Sequence, residues 1–369
     1  MKILVDYQNV SGQYTGVPRA TQDDVISLIL GGHELTLWIS KDESFKIELA
    51  MENYDSTKLE IAGRSFQILS NRSRNRSAWI KQFLPIGRSK EFEYILATHF
   101  PAIGSRSTKR IIRMHDPFKS SASLLPSFRT LSHGVKNEIA RTIRNLAYVQ
   151  VAQNSITVAS SYFMANQIRE NYDKFDITVE VINCAVGFQN EILVQDPNKD
   201  NFLIVGGMRQ RKRPDIGINA WAATFSSHKR DLIVVGSVPR ERLSRFATEL
   251  LLRGNLKMLD RVSSQELAIL QEDALATIFV STGEGFGRPI AESLLRGTPV
   301  IVNNLEVFRE FDCDYVHYFD LSQEKELESL IVSLASPLDS ESELKCREFG
   351  KRYSYERISL KWAELFNRY

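Results

Sequence analysis

Two glutamates eight positions apart, Glu284 and Glu292, flank the turn Gly285-Phe286-Gly287-Arg288-Pro289 in the stretch "STGEGFGRPIAESLLRGTPVI", Ser281 to Ile301. An amphipathic helix has no use for so much glycine before an acid. The preceding "ATIFVS" reads as a strand, and "IAESLLRG" reads as a helix closing on Gly297. The segment between them is then a loop at the carboxyl end of a strand, where open α/β sheets bind ligands. Glycines let backbone N–H groups approach an anion, and a helix start adds positive potential for phosphate. Pro289 suits a first helical turn. A carboxylate is a natural bidentate acceptor for the vicinal hydroxyls of a ribose or a hexose. The stretch is therefore suited to a nucleotide sugar, with phosphates on the loop and one acid on each sugar. The competing reading is plainer: one acid favoured by the helix dipole and one solvated acid.

These groups need a scaffold. "KILVDY", "LTLWIS", "FQILS", "YILATHF", "RIIRMHD", "SITVASS" and "VEVINCAV" read as strands in the first half. "NFLIVGG", "DLIVVGS", "LKMLD", "ATIFVST" and "PVIVNN" do so in the second. Short strands apolar on both faces suit parallel sheets covered by helices. Helical patterns lie between them in "TQDDVISLIL", "PDIGINAWAATF", "PRERLSRFATELLLR" and "SSQELAILQEDA". Pro239 with Glu241 marks the start of one helix, and Ser263 and Ser264 with Glu266 mark another. The alternation predicts two doubly wound α/β domains, with a boundary in the polar stretch Gly187 to Asn201.

The 369 residues suffice for two cores, and 43% hydrophobic with 25% charged residues is ordinary for a globular chain. A formal net charge of +2 does not point to nucleic acid. Cys184, Cys313 and Cys346 are far apart and lack metal-ligand spacing, which suggests reduced thiols in the cytoplasm. The chain opens on the strand-like "MKILVDY", so no signal peptide is expected, and no run of eighteen apolar residues occurs. From Arg64 to Lys119 there are twelve Lys or Arg against three acids. Arg72, Arg74 and Arg76 alternate within that stretch. It reads either as a solvated loop or as a basic surface for an anionic membrane or a diphosphate-bearing acceptor.

The stretch quoted first resembles the E-x7-E signature of retaining GT-B glycosyltransferases, most of all family 4, whose usual form is "EGFGLPIAEA" followed by "G-x-PVI". This chain departs from it by Arg288 for leucine and Ser293 for alanine. Arg288 is expected to point to solvent rather than to the diphosphate. "FLIVGGMRQRKRPDIGINAW" resembles the family's donor-phosphate loop, with Arg211 and Lys212 on its basic pair and Gly207 where an arginine is usual. "MKILVDYQNVSGQYTGVPRAT" resembles the opening strand and glycine loop, with Gly16, Val17 and Arg19 in the matching motif. "RIIRMHDPF" resembles the strand that ends on a histidine contacting the donor sugar, here His115. "SITVASSYFMANQI" is similar to a segment bearing a motif serine, here Ser160. Tyr353 to Glu356 match the start of the closing helix.

The resemblance implies a GT-B fold: two Rossmann-like domains, 1–190 on the acceptor side and 191–350 for the nucleotide sugar, with the active site in the cleft between them. A last helix, 351–369, would cross back to the first domain. It implies hexose transfer with retention, without an essential metal or other cofactor. His115, Lys212 and Glu284 would be catalytic. Gly16, Arg211, Lys212, Glu284, Gly285, Phe286, Gly287, Arg288, Pro289 and Glu292 would hold the donor. Arg19, Arg72, Arg74 and Arg76 would face the acceptor or membrane. The partners would be a nucleotide sugar, with GDP-mannose favoured by the "TGVPR" loop, and a saccharide or lipid-linked acceptor at the inner face of the membrane. A catalytically inactive nucleotide-sugar-binding protein and a phosphorylase or epimerase on the same fold are the alternatives. A dehydrogenase would need G-x-G-x-x-G, and a hydrolase would need G-x-S-x-G; neither occurs.

Overall fold

The computed structural model describes residues 1–6, 16–40, 67–71, 91–97, 108–115, 148–149, 151–187, 199–208, 211–260 and 262–369. These form two units. The first comprises Met1–Cys184 and Ile358–Tyr369, and the second comprises Ala185–Arg357.

Among the described residues, the first unit holds seven strands: β1 (Lys2–Asp6), β2 (Glu34–Ser40), β3 (Gln67–Asn71), β4 (Tyr94–Ala97), β5 (Lys109–Met114), β6 (Ile156–Ala159) and β7 (Thr178–Val181). They pair in the order β3-β2-β1-β4-β5-β6-β7, all parallel. Every residue of β4 and β6 is buried, as a parallel sheet covered on both faces requires. Helix α1 (Gly16–Leu30) follows β1. It begins earlier than "TQDDVISLIL" predicts, so Gly16 is the first helical residue rather than part of a loop. Pro18 sits in that first turn, where a missing N–H costs nothing. Helix α2 (Tyr162–Asn171) is capped by Ser161, whose hydroxyl accepts from the Met164 N–H at 3.1 Å.

Arg113 on β5 belongs to the basic stretch, yet it is inside the first unit, not on its surface. Its guanidinium donates to Asp24 of α1 at 2.8 Å and to the carbonyls of Ile182 and Asn183 beyond β7. A buried guanidinium is tolerable only when so fully paired.

The second unit holds β8 (Asn201–Val205), β9 (Asp231–Val235), β10 (Leu256–Leu259), β11 (Ala274–Phe279), β12 (Val300–Asn303) and β13 (Val316–Phe319). Their order is β10-β9-β8-β11-β12-β13, again all parallel. Numbered from β8, this is the doubly wound order 3-2-1-4-5-6, and its direction reverses between β8 and β11. Its helices are α3 (Pro214–His228), α4 (Arg245–Arg253), α5 (Ser264–Glu272), α6 (Arg288–Leu295), α7 (Glu324–Ser333) and α8 (Ser340–Gly350), while α9 (Tyr355–Arg368) starts in this unit and belongs to the first from Ile358 on. Trp221, Ile218, Leu250 and Leu327 join Phe202, Ile278 and Phe319 in one core. The capping box expected at Ser263 and Glu266 forms in full. The start expected at Pro239 does not hold as an α-helix. Arg240–Arg242 make a single 3-10 turn, and α4 begins after Ser244, which accepts from the Ala247 N–H.

The division between units falls at Ala185 rather than in the polar Gly187–Asn201 stretch as a whole, and the chain returns at Ile358 rather than 351. Hydrogen bonding gives the reason. Val186 N–H donates to the Tyr353 carbonyl at 2.8 Å, so both segments stay with the second unit. Beyond Ile358, α9 buries Trp362 and Phe366 in the first unit, where Phe366 packs on Tyr94 with ring centroids 4.8 Å apart.

Candidate active site

Two loops meet at the carboxyl ends of β8 and β11, the reversal point of the second sheet. The segment after β8 returns as Arg211–Arg213 and runs antiparallel to Val280–Thr282. Lys212 and Ser281 form a β-bridge, Arg213 N–H donates to the Val280 carbonyl at 3.0 Å, and Thr282 N–H donates to the Arg211 carbonyl at 2.8 Å. The basic pair and the acidic loop are thus tied backbone to backbone. The Lys212 ammonium lies 5.3 Å from the centroid of the Phe279 ring, a cation–π distance. Its stem crosses Gly206 (φ +120°), where a Cβ would stand 2.9 Å from the Lys212 Cδ. Only glycine suits both that backbone and that lysine. Arg213 is turned aside: Asp215 in the first turn of α3 accepts from its guanidinium at 2.8 Å and pushes its pKa up.

Glu284 is half-buried on the loop. The Ser281 hydroxyl lies 3.1 Å from its Oε1. Ser281 is itself fully buried, and its N–H donates to Asn303 Oδ1 at 2.9 Å. Asn303 ends β12 at 1% exposure. Ser281 and Asn303 therefore orient Glu284, and sequence reasoning did not single them out. The available signal was an asparagine closing the apolar run "PVIVNN".

Phe286 is buried against Phe311 and Tyr353, with centroids at 5.2 and 5.4 Å. This aromatic cluster roots the glycine turn. Gly287 caps α6 at φ +105°, and a Cβ there would meet Ile290 and Phe308 at 3.0 Å. Pro289 is the second residue of α6 and has no N–H, while Ile290 N–H already donates to the Gly287 carbonyl at 2.9 Å. The helix start thus offers an anion its dipole more than its amides. The cations of the neighbouring loop carry the larger charge.

Arg288 departs from expectation. It does not point to solvent: its side chain is 13% exposed. Nη1 donates to the Ala185 carbonyl at 3.0 Å, and Nη2 donates to Glu292 Oε1 at 3.0 Å. Glu292 is buried one turn into α6. The reason for the difference is tertiary, because Ala185 lies 103 residues away in the chain.

His115, Gly16 and Arg19 belong to the first unit. His115 follows β5 directly. Its Nδ1 stands 3.7 Å from the Cys184 thiol, and its Nε2 stands 3.9 Å from Asp24 Oδ2. Its carbonyl accepts from the Ser160 hydroxyl at 3.4 Å. Cys184 is buried and in no disulfide. Arg72, Arg74 and Arg76 lie outside the described residues. Among the described residues, no helix is long and apolar enough to cross a membrane.

Comparison with known proteins bears on this geometry. The family description "Glycosyl transferases group 1" matches residues 188–352. Over 220 residues the chain is 27% identical to the O-antigen chain mannosyltransferase RfbU of Salmonella typhimurium, which covers 58% of this chain and 60% of that protein. Over 126 residues it is 31% identical to the serotype-specific mannosyltransferase WbdA of Escherichia coli, covering 32% of this chain and 15% of that one. The matches thus span less than two thirds of either relative's length. In fold, the chain is similar over its whole length to the Anabaena protein Alr3699/HepE, solved with UDP and glucose, at a TM-score of 0.65 and 16% identity.

Proposed function

We propose that this chain, whose residues 188–352 match the description "Glycosyl transferases group 1", is a group 1 glycosyltransferase that moves a hexose from a nucleoside diphosphate sugar to an acceptor hydroxyl. One observation carries the reading. The Lys212–Ser281 bridge sets a lysine and an acid-bearing loop side by side at the reversal point of a doubly wound sheet. Lys212 and Arg211 stabilise the negative charge that develops on the departing phosphate. Glu292 accepts the ribose diol. Glu284, oriented by Ser281, accepts hydroxyls of the transferred sugar.

The proposed reaction retains anomeric configuration. The bond from the anomeric carbon to the phosphate oxygen breaks, the acceptor oxygen bonds on the same face, and its proton passes to the departing phosphate. Two cations do the charge work that a metal would otherwise do, so the reaction is proposed to be metal-independent.

GDP-mannose is the proposed donor, supported by two relatives named as mannosyltransferases. A saccharide or lipid-linked acceptor of surface polysaccharide assembly is supported by the same names. The basic stretch with Arg72, Arg74 and Arg76 supports reversible attachment to an anionic leaflet, at about 1 kcal/mol per cation. The chain would then work at the cytoplasmic face.

The deciding experiment incubates the protein with GDP-, UDP-, dTDP- and ADP-sugars and follows nucleotide release and transfer. Turnover of GDP-mannose, with an axial α-linked product by NMR, is the expected result. Consumption of UDP-sugars alone would remove the GDP-mannose assignment, and an inverted product would remove retention.

A further inference from the structure

Arg288 and Glu292 are four residues apart on α6, a spacing that ordinarily gives a loose surface ion pair of little worth. This pair differs in two respects. Both side chains are nearly enclosed, at 13% and 9% exposure. The other arm of the guanidinium also leaves the helix and binds the Ala185 carbonyl. That carbonyl is itself fixed, because the next residue, Val186, donates its N–H to the Tyr353 carbonyl at 2.8 Å. One planar fork therefore clamps the Glu292 carboxylate against a rooted piece of backbone. A lysine could not span both acceptors in this way.

A carboxylate has about four lone-pair sites, and Arg288 occupies one oxygen, Oε1. The rest stay available to a ligand, in an orientation set before the ligand arrives. Ordering a glutamate in advance spares the entropy loss that binding would otherwise impose.

We propose that Arg288 is a positioning residue for Glu292, fixing the carboxylate so that it recognises the ribose hydroxyls of the donor nucleotide. The proposal rests on the reading of Glu292 as the ribose acid. It makes Arg288 a determinant of ribose over deoxyribose, acting through Glu292 rather than by touching the sugar.

The test measures, by calorimetry, the affinity of GDP and UDP, each beside its 2′-deoxy form. The proteins are wild type, Arg288→Leu, Arg288→Lys, Glu292→Gln and the Leu/Gln double variant. Wild type should prefer the ribonucleotide by about tenfold or more, the scale of a charged hydrogen bond. Arg288→Leu should cut that preference to below about threefold while 2′-deoxy affinity stays within about twofold, because only diol recognition is loosened. Arg288→Lys should restore part of it. In the Glu292→Gln background, Arg288→Leu should add nothing further, since residues acting through one contact are not additive. If Arg288→Leu does not fold, Arg288→Met fills the same space with an uncharged stem and takes its place.

Full ribose preference in the Leu or Met variant overturns the proposal, and so does an equal loss of both ribo and deoxy affinity. If Glu292→Gln lowers the preference and Arg288→Leu does not, the proposal alone fails. If Glu292→Gln keeps the wild-type preference, the ribose role of Glu292 falls and the proposal falls with it.

Discussion

At the scale of single residues, the site divides its labour between a lysine and two acids held in different ways. The Lys212 ammonium lies over the Phe279 ring on the loop tied to Ser281, while Arg213 beside it is committed to Asp215. Lys212→Ala should therefore lower kcat by roughly 10²–10³, the scale of one preorganised electrostatic group. EDTA should leave the wild-type rate unchanged; a rate lost on chelation and restored by Mg²⁺ or Mn²⁺ would refute metal independence. Glu292→Ala should weaken nucleotide binding by about 1–3 kcal/mol, the cost of lost charged hydrogen bonds. Calorimetry showing unchanged affinity would remove Glu292 from the nucleotide. Glu284 differs in kind: a hydroxyl, Ser281, whose N–H donates to Asn303 at the end of β12, is among its partners. That chain of contacts joins a bridge residue beyond β11, a loop residue and the last residue of β12, so no short local motif contains it.

At the scale of elements, the glycine turn depends on a segment more than sixty residues downstream. Tyr353 is buried, and its ring meets those of Phe286 and Phe311. Tyr353→Ala should cost about 3–5 kcal/mol, as for other buried aromatics. It should also weaken nucleotide binding, because the turn loses its root. A thermal melt and a binding isotherm on the same sample check both; a lowered melting temperature with unchanged affinity would uncouple the cluster from the site. The elements differ in how legible they were. Strands buried on both faces, such as β4 and β11, announce themselves as unbroken apolar runs. The edge strand β13, Val316–Phe319, was missed because only its two end residues are buried, and "VHYF" has no such run. The two serine-led helices show the limit of local signals. Ser263 with Glu266 gave a true start, whereas Pro239 with Glu241 lost to Ser244 a few residues later. Arg288 was misread for a stronger reason: its direction is set by a carbonyl that no local pattern could reveal.

At the scale of the whole molecule, charge networks tie distant segments of each unit together. In the second unit Lys199, just before β8, donates to Glu343 on α8 at 2.8 Å, and Arg347 bridges Glu343 and Glu272, each at 2.8 Å. Burial alone would raise the Glu343 pKa, but Lys199 and Arg347 hold it below the ordinary 4.5. Its folded value is therefore the lower one. The stability it contributes is present above about pH 4.5 and is lost as pH falls through the depressed value. Lys199→Met should destabilise the protein by about 1–3 kcal/mol at neutral pH, since it leaves a half-buried carboxylate with one cation fewer. The penalty should shrink as pH falls below about 4.5 and vanish below the depressed wild-type value, where both proteins protonate Glu343. Urea melts at neutral and acid pH measure the difference; a pH-independent penalty would place the effect in packing instead. The first unit poses a different problem, one of timing. Its sheet is built from Met1–Cys184, but Trp362, fully buried, and Phe366 reach it only from α9. The first sheet is synthesised before the second, yet it lacks the packing of Trp362 and Phe366 until residues 358–369 have emerged. The continuous second unit, Ala185–Arg357, can close first. Of the two units, the one synthesised earlier is thus completed later, and a chain stalled before residue 358 would leave it open to aggregation and to chaperones.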